Sequence, residues 1–195
     1  MRLRPAWGHG MQLAIHSLPI PDVKIISGLR FQDARGYFRE TFSRDDLAAQ
    51  GLASDFIQDN ESYSLRAGTV RGLHFQREPF AQAKLVRVVQ GRILDVVVDV
   101  RPASPTLGQY VSFELSAADD AQLLVPAGFA HGFCTLVPNT VVFYKVDNAY
   151  SPAHEAGINW ADEDLAIRWP ATPENATLSE KDRRLPAFKD LFACA

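Results

Sequence analysis

Two carboxylates sit in an otherwise aliphatic run, Ile93-Leu94-Asp95-Val96-Val97-Val98-Asp99-Val100. Alternation on a strand puts Asp95, Val97 and Asp99 on one face and Leu94, Val96, Val98 and Val100 on the other. Carboxylates in such a setting are costly to bury unless paired, and the preceding strand offers Lys84 and Arg87 as partners. Taken alone, this hairpin reads as a structural salt bridge; the alternative is a lysine aimed into a cavity and held by an aspartate. Two histidines lie in comparable apolar strands: His74 in Arg71-Gly72-Leu73-His74-Phe75-Gln76, and His131 in Pro126-Ala127-Gly128-Phe129-Ala130-His131-Gly132-Phe133. Either one alone is an ordinary hydrogen-bonded core residue.

Together the histidines raise the question of a metal. The Pro-x-Gly-x-x-His turn ending at His131 resembles the second metal motif of the cupin barrels. The first cupin motif requires His-x-His and a following glutamate, whereas His74 is followed by Phe75 and Gln76. A transition-metal site normally takes three or four protein ligands. The reading is therefore a cupin scaffold with no metal.

These residues are carried by short strands. Apolar runs rich in Val, Phe, Ile and Tyr recur at Val23–Arg30, Tyr37–Phe42, Phe56–Tyr63, Thr69–Phe75, Lys84–Val89, Ile93–Val100, Tyr110–Leu115, Ala121–Val125, His131–Val137 and Val141–Val146. Turn residues separate them at Arg35-Gly36, Gly68, Gln90-Gly91, Pro102 to Pro105, Pro126-Ala127-Gly128 and Pro138-Asn139. Many short strands at this spacing predict a sandwich or barrel. One early helix is expected, with Ser43 as N-cap, Asp46 three residues on, and Gly51 as the stop. Beyond Pro152 the chain should pack as loops and short helices over the barrel, one of them beginning near Ser179 and Asp182. Arg71 and His74 differ in parity, so a regular strand would send them to opposite faces. Either the strand is irregular near Gly72, or Arg71 serves a partner subunit.

Composition narrows the class. At 195 residues, 47% hydrophobic and 22% charged, the chain is sized for one globular domain. Residues 1–10 read as a disordered leader and 11–195 as the domain. A net charge of −3 argues against a nucleic-acid partner. No apolar run approaches a membrane span, and no continuous apolar stretch follows the arginines of Met1 to Pro5, so a secretory signal is not expected. Two cysteines, Cys134 and Cys194, form neither a disulfide framework nor a zinc pattern, which fits the cytoplasm.

The motifs, taken in order, are similar to those of the dTDP-4-dehydrorhamnose 3,5-epimerases. They are Asp33-Ala34-Arg35-Gly36-Tyr37-Phe38-Arg39-Glu40, Gln58-Asp59-Asn60, Arg71 to Gln76, Lys84-Leu85-Val86-Arg87, Asp95 to Arg101, Ser104-Pro105-Thr106, Pro126 to Phe133, Tyr144-Lys145 and Tyr150-Ser151-Pro152. The resemblance runs from about Leu18 to Leu185. It implies a jelly roll, the double-stranded β-helix, with short peripheral helices. It also implies a homodimer whose N-terminal segments reach into the partner's sheet. The implied reaction inverts C3 and C5 of a dTDP-4-keto-6-deoxy sugar without cofactor or metal.

By the same resemblance His74 is the base, Lys84 the cation at the enolate oxygen and Tyr144 the proton donor from the opposite face. These types suit the chemistry: a ketone acidifies its neighbouring carbons, an imidazole takes the proton near neutral pH, and a fixed cation holds the enolate. Asp182 orients His74, and Asp95 sits beside Lys84 and Tyr144. Substrate-binding positions carried over are Arg35, Glu40, Gln58, Asp59, Asn60, Arg71, His131, Glu155 and Lys181, the cations suiting a pyrophosphate. Phe31, Tyr37 and Trp160 are candidate aromatic contacts for thymine or sugar. Three alternatives stand beside this reading: an epimerase of one carbon only, a metal-dependent cupin enzyme, and a non-catalytic sugar binder.

Overall fold

The structure, a computed structural model, describes residues 13–52 and 55–192. The expected leader and its boundary with the domain lie outside the described residues. Alternating Val, Ile and Phe segments fold into strands β1 (Ala14–Ser17), β2 (Lys24–Ser27), β3 (Arg30–Asp33), β4 (Gly36–Arg39), β5 (Gln58–Ser64), β6 (Val70–Gln76) and β7 (Lys84–Gln90). They continue as β8 (Arg92–Asp99), β9 (Tyr110–Ser116), β10 (Ala121–Val125), β11 (Phe129–Thr135), β12 (Thr140–Val146) and β13 (Glu155–Gly157). Among the described residues these form a six-stranded sheet, β1-β2-β10-β7-β12-β5, and a five-stranded sheet, β13-β6-β11-β8-β9. Hairpin β3–β4 stands apart as a two-stranded ribbon. All the strand pairs are antiparallel. The result is the expected jelly roll.

The inner faces of the two sheets meet in a core that includes Val86, Val88, Ile93, Val97, Leu123, Phe129 and Val142. Each fully buried side chain of this kind contributes about 1.5–3 kcal/mol. Period two leaves the opposite faces apolar as well, and both are covered. Leu73, Val96, Val98 and Ala130 pack under Ile158 and Leu165 of the C-terminal segment. Ile26, Leu85 and Leu124 pack under Leu47 of helix α1 (Arg44–Ala49). That helix starts as expected, the Ser43 hydroxyl accepting from the Asp46 amide at 3.3 Å.

Segment ends differ from the sequence reading for physical reasons. The run Val23–Arg30 is two strands, broken by Gly28 and Leu29, because β2 pairs with β10 while β3 pairs with β4. The carboxylate face of β8 is also partnered differently. Asp99 is fully buried and receives Arg101, Ser104 and Thr106 from the following loop, not Lys84 or Arg87. Burial would raise its pKa, but these donors hold it well below the usual carboxylate range. Arg87 lies on the outer face with its guanidinium 4.8 Å from the Phe143 ring centre.

Candidate active site

Strand β6 is irregular where the parity conflict arises. Across β11 its partners are His131↔His74 and Phe133↔Arg71, so three steps on β6 face two on β11. This bulge turns both Arg71 and His74 inward. Glycine makes it possible: Gly72 has φ +123°, and a Cβ there would lie 2.6 Å from Gly132 Cα and 2.8 Å from the His131 carbonyl. The strand is irregular near Gly72, and Arg71 lines a cavity of its own chain.

That cavity holds about 270 Å³ and is lined by Ser62, Arg71, His74, Lys84, His131, Phe133, Tyr144, Ser179, Lys181 and Asp182. A second, of about 310 Å³, shares Lys84 and Tyr144 and adds Gln58, Asn60, Gln76, Tyr150 and Glu155. The two form a trench between the sheets. His74 and His131 project from the five-stranded sheet; Lys84 and Tyr144 project from β7 and β12 of the six-stranded sheet. A larger depression of about 600 Å³, lined by residues such as Arg77, Arg101 and Phe192, lacks these groups.

Two imidazole–carboxylate pairs face the first cavity. Asp182 folds back from the C-terminal segment, and its Oδ1 lies 2.6 Å from His74 Nε2. Ser179 holds the other oxygen, its hydroxyl donating to Oδ2 at 2.8 Å and accepting from the Asp182 amide at 3.0 Å. Burial would raise the Asp182 carboxyl, but His74 and Ser179 outweigh it and keep the group anionic. The second pair is His131 Nε2 with Asp95 Oδ1 at 2.7 Å. Asp95 therefore supports the charge of Lys84, as expected, and its direct hydrogen-bond partner is His131.

Lys84 donates to the His74 carbonyl at 3.2 Å and so bridges the sheets. Burial lowers it to about 8, partly opposed by Asp95 and Glu155. An ammonium in this setting is poorly solvated and strongly directed at any developing anion. Burial raises the Tyr144 phenol above its ordinary value despite the Arg71 charge, which keeps its proton in place. At the trench mouth Glu155 accepts from Tyr150 at 2.9 Å and is paired with Lys181. Burial would raise Glu155, yet those two donors lower it.

Several expected positions lie elsewhere. Asp59 is on the outward face of β5 and pairs with Lys145 at 2.7 Å, because period two separates it from Gln58 and Asn60. Arg35 pairs with Asp33 at the β3–β4 turn, and neither Arg35 nor Glu40 lines the trench. Phe31 and Tyr37 are exposed on the same hairpin, Tyr37 under the Arg30 guanidinium at 4.2 Å. Trp160 is core, packed edge-on to Trp169 with centroids 6.0 Å apart. The sequence reading missed Ser62 and Gln76 as lining residues. The signal for each was inward parity with a named residue, Gln76 with His74 on β6 and Ser62 with Asn60 on β5. Among the described residues no group of three or more His, Cys, Asp or Glu could hold a metal ion.

A family profile described as dTDP-4-dehydrorhamnose 3,5-epimerase matches residues 17–190. A protein of that name from Sinorhizobium fredii is 50% identical over 184 residues, 92% of each chain. The crystal structure of a Bacillus anthracis dTDP-4-dehydrorhamnose 3,5-epimerase with TDP and PPi bound superposes with a TM-score of 0.87 at 50% identity, covering 90% of this chain and 99% of that one. The Legionella pneumophila dTDP-6-deoxy-D-glucose-3,5-epimerase, in complex with dTDP-4-keto-L-rhamnose, gives 0.86 at 39% identity, covering 91% and 93%.

Proposed function

Because this chain belongs to the dTDP-4-dehydrorhamnose 3,5-epimerase family, we propose that its trench carries the two inversions by paired groups on facing sheets. The enzyme is an isomerase acting at C3 and C5 of dTDP-4-dehydro-6-deoxy-D-glucose to give dTDP-4-dehydro-L-rhamnose. His74 removes the proton from C3 or C5, and the C–H electron pair moves onto the C4 oxygen as an enolate. Lys84 holds that oxygen. The Tyr144 hydroxyl then returns a proton to the other face of the carbon, the enolate collapses to the ketone, and the centre is inverted. Asp182 stabilises the imidazolium formed meanwhile. A base of this kind contributes on the order of 10² to 10⁴ in rate, and a directed cation on an oxyanion about 10² to 10³.

The observation that supports this assignment best is the opposition of His74 to Tyr144 and Lys84 across one cavity. Inversion requires a donor and an acceptor on opposite sides of the ring, and a cavity lined from one sheet alone would not supply them. Incubation with dTDP-4-keto-6-deoxyglucose in D₂O tests it: deuterium should enter at C3 and C5 alike. Label at one carbon only would reassign the enzyme to single epimerisation.

Arg35 and Glu40 fit a homodimer with N-terminal exchange, in which hairpin β3–β4 serves the partner's trench. The exposure of Tyr37 (55%) and Phe38 (66%) on that hairpin favours such an interface. Sedimentation of the purified chain as a monomer would end that reading. A cytoplasmic site accords with the buried free thiol of Cys134. Recovery of the enzyme from an oxidising compartment on cell fractionation would exclude it.

A further inference from the structure

Ser62 has a hydroxyl with nowhere to go. It lies on β5 opposite Val142, with Asn60 and Ser64 on the same inner face, and lines the cavity that holds His74 and Tyr144. Its Oγ is shut off from solvent and has no hydrogen-bond partner. Among the described residues the other such side-chain atom is Asp95 Oδ2, belonging to the carboxylate that grips His131 in the same cavity. Buried hydroxyls in folded proteins are nearly always paired, because an unmet one costs the full desolvation of the group. Alanine at this inward position would fold with less penalty.

The surroundings indicate what completes the bond. Arg71 is fixed against the same strand, its Nε donating to Ser64 Oγ at 3.2 Å and its Nη2 to the Tyr63 carbonyl at 2.8 Å. A serine hydroxyl can donate one hydrogen and accept others, and beside a fixed guanidinium its most useful role is donation to an oxygen. We propose that Ser62 is a substrate-binding residue whose hydroxyl donates to an oxygen of the bound nucleotide sugar on the Arg71 side of the cavity. That oxygen belongs to a phosphate or to a sugar hydroxyl. The inference rests on the epimerase reading above and adds a contact that it does not include.

The test is a comparison of opposite signs. Ser62→Ala should raise KM for the keto sugar about tenfold, the loss of one well-made hydrogen bond, with kcat within about twofold. Its melting temperature should stay level or rise, since an unmet group has been removed. Ser62→Thr, which keeps the hydroxyl, should recover most of the affinity. Calorimetric titration with dTDP separates the two acceptors: weakened dTDP binding assigns the phosphate, and unchanged dTDP binding with a raised KM assigns the sugar hydroxyl. A lowered melting temperature with unchanged KM would make Ser62 structural and overturn the proposal, as would a variant unchanged in both. A wild-type enzyme that fails to turn over would instead overturn the functional reading, and this contact with it.

Discussion

Lys84 should set the alkaline limit of the reaction. Burial takes its ammonium from 10.5 to about 8, a preference for the neutral amine worth roughly 3 kcal/mol. If the cation is what holds the enolate, activity should track its protonated fraction. For a group titrating at about 8, that fraction is about nine-tenths at pH 7 and about one-tenth at pH 9. The assay is wash-in of solvent deuterium at C3 and C5, followed by NMR at subsaturating substrate between pH 6 and 10, so that the free enzyme is reported. The rate should bend near pH 8 and fall about tenfold per pH unit above it. Asp95→Asn removes a negative charge that supports the ammonium and should move the bend to lower pH. Tyr144 is raised above its ordinary value, so Tyr144→Phe should impair inversion while leaving the bend in proton removal. A bend near 10, or one near 8 that survives Lys84→Met at full rate, would refute the assignment. The same group gives a rising share of stability between about pH 8 and 10.5, where the unfolded chain holds the extra proton.

His74→Ala should lose on the order of 10² to 10⁴ in exchange at both carbons together; loss at only one would mean two bases. Asp182→Asn should reduce kcat about 100-fold through a misdirected imidazole. Its native carboxyl titrates below 3.8, so the stability it adds is present above that pH and lost as pH falls further. The melting-temperature gap between wild type and variant should therefore close in acid. Gly72→Ala should cost about 3 kcal/mol or more in chemical denaturation, since its Cβ would meet β11 backbone at a φ only glycine adopts readily. Mixing inactive His74→Ala and Arg35→Ala chains should restore activity if hairpin β3–β4 serves the neighbouring trench, because one site of each mixed dimer then has both residues. No recovery after subunit exchange would return Arg35 to its own chain.

Local rules carried the strands and failed where contacts were distant. The alternation in β8 and the capping of α1 by Ser43 are written within a few residues, and the fold follows them. Strand β1 (Ala14–Ser17) and strand β13 (Glu155–Gly157) are short and weakly apolar, and they exist because a neighbouring strand edge pairs with them. The hairpin pairing of β8's carboxylates with Lys84 or Arg87 was not the one adopted: Asp99 took Arg101, two residues on, and Asp95 took a histidine 36 residues on, of which the second lay beyond any local rule. The His74–Asp182 contact spans 108 residues. It was reached through family resemblance, and no spacing rule would have found it. The double inward turn of Arg71 and His74 came from a bulge, which a strict period of two cannot express.

The jelly roll has one further consequence. Imidazole and phenol are mounted on separate sheets, so the gap across which hydrogen crosses the ring is the thickness of the sandwich filling. Val86, Val97 and Phe129, which never meet a sugar, act as shims in a calliper. A methylene trimmed from one of them would detune turnover before it unfolded anything, and warming should blunt catalysis ahead of melting.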